Sequence, residues 1–121
     1  MSIAETVPII QLGPNLLVSL QGDLDDNAVL RLESEITDAV ARARATGVLI
    51  EVSGLAVVDS FIARVIGRIA GMIRLLGADA VVVGIQPAVA ITLIELGVGM
   101  QQVQTALNAA EGMALLRQPR G

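Results

Sequence analysis

The sequence predicts an α/β domain: a mixed, mainly parallel β-sheet flanked by α-helices, in the order ββαβαβαβα. Short apolar runs alternate with longer segments whose apolar residues recur every three or four positions, the spacing of one helix face. The run Val48–Val52 (VLIEV) is almost continuously apolar, as a central strand covered on both faces requires. Only Gly13-Pro14-Asn15 separates the first two runs, so they read as an antiparallel hairpin. A length of 121 residues suits one domain over 1–121, with a structured core of about 7–116 and a polar tail at 117–121.

The first strand is expected at Val7–Leu12, with Pro8 marking a sheet edge because proline cannot donate to a ladder. Leu16–Leu20 is the second strand. Asp25 or Asp26 can cap the first helix, and Val29, Leu32, Ile36, Val40 and Ala43 form its apolar stripe. Arg31, Glu35, Asp38 and Arg42 lie off that stripe. Gly47 stands where a left-handed helix end is wanted. Ser53-Gly54 is expected to break the third strand, and Leu55–Val58 to bridge to a second helix that starts at Ser60 and closes at Gly77. Ile62, Val65, Ile66, Ile69, Ile73 and Leu76 make its stripe. Ala80–Val83 is the fourth strand, and Pro87 fits the first position of a third helix ending at Gly97. A weak fifth strand is placed at Val98–Val103. The last helix is placed at Ala106–Leu116, with Leu107, Ala110, Met113 and Ala114 on one face.

Composition narrows the function classes. The chain is 54% hydrophobic and 17% charged, which leaves little polar material to cover it, so part of its apolar surface is expected to meet other protein. The net charge is −4 and all eight basic residues are Arg. With no basic tract, no Tyr or Trp and only Phe61 as an aromatic residue, no nucleic-acid partner is expected. The start, MSIAETVPII, lacks a basic region followed by an apolar core, and a cytoplasmic location is the expectation. Ala80–Ile94 carries no charge, but it is short of the roughly 20 residues a membrane span needs and holds Gly84, Gln86 and Pro87. It reads as a buried strand, a turn and a buried helix, so no membrane is expected either.

Catalysis is poorly supplied. The chain has no His, no Cys and no Lys, which removes imidazole bases, thiolates, the commonest metal ligands and a Ser–Lys pair. Asp25 and Asp26 are explained by capping. Glu51 and Asp59 are too loosely spaced for a general acid/base pair. Gly97-Val98-Gly99 lacks the preceding strand and the third Gly of a dinucleotide fingerprint. Gly67-Arg68-Ile69-Ala70-Gly71, with its arginine, reads as close packing of a water-exposed helix rather than a membrane motif. Neither an enzyme nor a cofactor or metal site is expected.

What remains is Asp59-Ser60, at a strand-to-helix junction of the kind where α/β domains build sites. The plain structural role for Ser60 is the helix N-cap. Its surroundings suggest more. Ser60, Arg64 and Arg68 recur every four residues and form one ridge away from the apolar stripe. A phosphoryl group on Ser60 would add about −1.5 to −2 charges at the positive end of the helix, one turn from Arg64.

The stretches VVDSFIARVIG and GADAVVVGIQPAVAITLIELG, which with their spacer run from Val57 to Gly97, resemble a STAS domain of the RsbS type, the small scaffold of the bacterial stressosome. The Asp-Ser pair is shared with anti-anti-sigma factors, which usually continue with a small, Gly-containing run. Here the continuation is Phe61-Ile62-Ala63-Arg64. The resemblance implies the STAS fold and phosphorylation of Ser60 by an RsbT-like serine/threonine kinase. It further implies co-assembly with RsbR-like STAS paralogues and copies of itself into a large particle that holds the kinase until Ser60 is modified. Asp59, Phe61, Arg64 and Arg68 are then the expected partner-binding residues. RsbR-type scaffolds carry a second acceptor Thr just before the Gly of the GI-x-P turn. Val83 stands there, so no second site is expected, and the absence of an N-terminal sensory extension likewise points away from the RsbR type. The alternative is a monomeric anti-anti-sigma factor that binds an anti-sigma kinase.

Overall fold

The computed structural model describes residues 8–55, 58–96 and 103–118. Among these, the strands β1 (Ile9–Leu12), β2 (Asn15–Gly22), β3 (Gly47–Leu55), β4 (Asp79–Val83) and β5 (Gln104–Ala106) lie side by side in chain order. β1 pairs antiparallel with β2, and the other pairs are parallel. Helices α1 (Asp26–Ala43), α2 (Ser60–Leu75) and α3 (Pro87–Leu96) connect successive parallel strands, and α4 (Ala109–Leu116) follows β5. The expected order and the mixed, mainly parallel sheet are both observed.

Successive strand side chains point to opposite faces, and β3 uses both. Val48, Ile50 and Val52 enter a core with Val18 and Leu20 of β2 and Val82 of β4, covered by α1 and α2 through Leu32, Ile36, Ile66 and Ile69. Leu49 joins Val81 and Val83 on the other face, under Met113, Leu115 and Leu116 of α4. Gly112 brings α4 close: a Cβ there would lie 2.6 Å from Leu49 Cδ2 and 2.8 Å from Val83 Cγ1.

Several expected boundaries move, each for a local reason. Asp25 rather than Asp26 caps α1, its Oδ1 accepting from Ala28 N at 2.8 Å. The left-handed end of α1 is Arg44 (φ 50°), not Gly47. Gly47 instead opens β3 where space is short, since a Cβ would stand 2.7 Å from Asn15 Oδ1. β3 also continues through Ser53-Gly54 to Leu55. A register shift in β2 between Ser19 and Gln21 lets Gly54 pair with Gln21. The strand expected at Val98–Val103 is found at Gln104–Ala106, paired with Val81–Val83; Val98–Gln102, like Gly97 and the end of the tail, lie outside the described residues. α4 starts at Ala109 rather than Ala106 because Asn108 caps it, accepting from Glu111 N at 2.9 Å.

The turn from β4 to α3 requires glycine. Gly84 has φ +85°, and a Cβ there would run into the Glu51 carboxylate. Pro87 starts α3 as its fixed φ predicts. α3 is not the buried helix expected: Leu93 is buried, but Ile91 is 61% exposed and Ile94 83%. Among the described residues no helix is long and apolar enough to cross a membrane.

Candidate functional site

The site lies at the carboxyl end of β3, where the chain turns into α2. A helix leaves its first N–H groups without intrahelical partners, and an Asp, Ser, Thr or Asn side chain normally takes one of them. Asp59 does so here, adopting an extended backbone while its Oδ1 accepts from Ile62 N at 3.0 Å. Its carbonyl starts the helix by accepting from Ala63 N at 2.9 Å. The expectation that Ser60 is the cap is therefore corrected: Ser60 is the first residue inside α2 and half-buried. Its hydroxyl makes no hydrogen bond with any described residue.

Beyond Ser60, one face of α2 forms a wall of a groove whose opposite wall is α1. The groove has a volume of about 920 Å³, and Phe61, Arg64 and Arg68 all line it. Phe61 and Arg64 are exposed. Arg68 is exposed as well (70% of its side chain), but its Nε lies 2.8 Å from Oε2 of Glu33 on α1. That carboxylate is only 10% exposed, and Oε2 has no directed hydrogen bond, so the contact is an ion pair without an aligned N–H. Of the three positions on the expected ridge, Ser60 is half-buried, Arg64 is exposed and Arg68 is engaged within the chain. Asp59 faces solvent at the helix start, outside the residues that line the groove.

Sequence reasoning missed the α1 half of this groove, namely Asp26, Val29, Leu30 and Glu33. Leu30 is apolar yet off the α1 stripe and exposed, and that mismatch was the available signal. The close packing expected at Gly67 and Gly71 is also corrected. A Cβ at either would meet no described residue within 4 Å, and both line the groove. Each weakens α2 by roughly 0.5–1 kcal/mol relative to Ala, and no contact within the described chain compensates.

The remaining carboxylate at this end of the sheet has a structural role. Glu51 Oε1 accepts from Ser53 Oγ at 2.7 Å and from Ser53 N at 3.0 Å. The cavity between the β3 and β4 ends is small, about 100 Å³, well below the size of a typical small-molecule pocket, and Ser53 and Gln86 are the polar side chains among its described lining. Val83, before the Gly84 turn, is fully buried.

Comparison with known proteins places this geometry in context. The STAS domain family matches residues 6–110. A serine-to-glutamate variant of RsbS from Moorella thermoacetica shares 36% identity and a TM-score of 0.80, over 92% of this chain and 96% of that one. A chain in a structure of the molecular architecture of the stressosome, described as a signal integration and transduction hub, shares 33% identity and a TM-score of 0.76, over 91% of this chain and 96% of that one. Among curated proteins, the RsbT co-antagonist protein RsbRA of Bacillus subtilis is 31% identical over 89% of this chain. This chain spans only about 40% of that protein's length. A five-stranded sheet with one antiparallel edge, an Asp-capped α2 that begins at Ser60, and these matches lead to one assignment: the chain belongs to the STAS domain family.

Proposed function

We propose that this chain is a non-enzymatic phospho-switch scaffold of a stressosome. It holds an RsbT-like serine kinase and releases it when Ser60 is phosphorylated, so that the kinase acts on a stress response or another output pathway. The observation that carries the reading is the division of labour at the start of α2. Asp59 caps the helix, which leaves the Ser60 hydroxyl without a hydrogen-bond partner among the described residues. In the transfer, Ser60 Oγ attacks the γ-phosphorus of ATP, the bond to the β-phosphate oxygen breaks, ADP leaves and the hydroxyl proton passes to a base of the kinase. The product places about −1.5 to −2 charges beside the positive end of α2. Arg64 lies one turn on, with no ion-pair partner among the described residues.

Association with RsbR-like paralogues and with further copies is part of the same proposal. The exposed apolar residues of α3, Ile91 and Ile94, and Leu75 at the end of α2 support it as apolar surface available to other protein. Phosphosite mapping after incubation with an RsbT-like kinase and ATP tests the switch: incorporation should be lost in Ser60→Ala, and incorporation that survives there overturns the assignment. Size-exclusion mass with a co-expressed paralogue tests the scaffold. A very large complex is expected, and a monomer that binds only a kinase would favour the anti-anti-sigma alternative.

A further inference from the structure

We infer that the groove between α1 and α2 is the docking site for an amphipathic helix of the kinase. That helix seats over Gly67 and Gly71 and presents a carboxylate to Arg64. The inference rests on the kinase-holding reading above and names the surface and chemistry by which the holding is done.

The groove has room for a helix. Its volume of about 920 Å³ matches roughly two turns of a helix ~10 Å across. Val29, Val65 and Ala70 supply an apolar lining, and Leu30 and Phe61 add exposed apolar side chains. Gly67 and Gly71 are four residues apart, so they lie on one i, i+4 row of α2, the row that receives the ridge of a crossing helix. Neither glycine has a positive φ or a described neighbour that would clash with a Cβ. Both weaken α2, and a backbone approaching closely from another chain is what their missing side chains would serve.

The charge pattern specifies the occupant further. The chain is acidic overall, yet the ionisable residues of α2 are Arg64, Arg68 and Arg74, and all three line the groove. The groove's carboxylates are both on α1: Glu33, which engages Arg68, and Asp26 at the start of that helix. Arg64 is exposed with no ion-pair partner among the described residues, which leaves it for an incoming carboxylate. Arg64 is also one turn from Ser60, which ties docking to the switch. A phosphoryl group on Ser60 competes for Arg64 and repels the carboxylate that had been paired with it. Phosphorylation therefore loosens the docked helix without any change in the fold of the scaffold. A second copy of the chain would gain nothing from this proximity to Ser60, which favours the kinase as occupant.

The test measures affinity of the purified RsbT-like kinase for the full chain and for Gly71→Leu, Gly71→Ala and Arg64→Ala. Gly71→Ala should fold at least as stably as the parent, because no described residue lies within 4 Å of a Cβ there. Gly71→Leu should fold equally well, judged by far-UV circular dichroism and thermal midpoint, and lose at least tenfold in kinase affinity. Arg64→Ala should lose several-fold, and phosphorylation of its Ser60 should weaken binding less than in the parent. Parent-like kinase affinity in a folded Gly71→Leu overturns the docking site while leaving the phospho-switch standing. Gly71→Leu that keeps the kinase but loses self-association makes a second copy the occupant and also overturns it. A kinase that binds neither the parent nor any variant overturns the holding reading itself.

Discussion

Replacing Asp59 by Ala removes the side-chain acceptor at the start of α2, whereas replacing Ser60 by Ala removes a hydroxyl with no described partner. The two neighbours should therefore behave very differently. The Asp59 Oδ1 contact to Ile62 N is 3.0 Å long and well formed. Loss of such a cap costs about 1 kcal/mol, within a range of roughly 0.5–2 kcal/mol, and this includes its favourable charge at the helix dipole. In a domain of this size about 1 kcal/mol lowers the thermal midpoint by about 3–6 °C. Asp59→Asn keeps an acceptor and should stay within about 0.5 kcal/mol of the parent. Ser60→Ala should also stay within about 0.5 kcal/mol, since Ala is the better helix former and no cap is lost. Urea and thermal unfolding of the four proteins decide the matter. If Ser60→Ala costs as much as Asp59→Ala, Ser60 has a capping duty after all, and the claim that its hydroxyl is free for modification fails.

Further outcomes follow from the packing. Gly112→Ala should destabilise by about 1–3 kcal/mol despite its better helix propensity, because the new Cβ meets Leu49 and Val83 in a filled core; denaturant titration measures it. Gly84→Ala should lose about 1 kcal/mol or more, from a backbone at φ +85° and a collision with Glu51, and a stability equal to the parent would refute both terms. Arg68→Ala should cost about 1–2 kcal/mol by leaving the Glu33 carboxylate buried without its cation. Adding Glu33→Gln should recover part of that loss in a double-mutant cycle.

The sheet was legible because its strands carry the alternation and continuity that burial imposes, β3 above all. The hairpin, the helix stripes and the Pro87 start of α3 were equally local signals. What the sequence did not settle was set by contacts between distant segments. Gly47 looks like a helix end, but its need for glycine comes from Asn15 on the neighbouring strand. The extension of β3 to Leu55 depends on a register shift in β2. At the site, Asp59 and Ser60 are both good caps, and only the backbone geometry decides which one bonds Ile62. Arg68 looked like a free ridge cation until the packing of α1 brought Glu33 to it. The open space over Gly67 and Gly71 likewise exists only once α1 is in place.

We propose that Ser60 is a substrate whose modification frees a kinase. Capture of an RsbT-like kinase on the immobilised full chain, followed by ATP with time-resolved phosphosite mapping and release, tests it most directly. The kinase should elute as phosphate appears on Ser60, and Ser60→Ala should capture the kinase and keep it in ATP. Release from Ser60→Ala at the parent rate, or full phosphorylation of Ser60 with the kinase still bound, would contradict it.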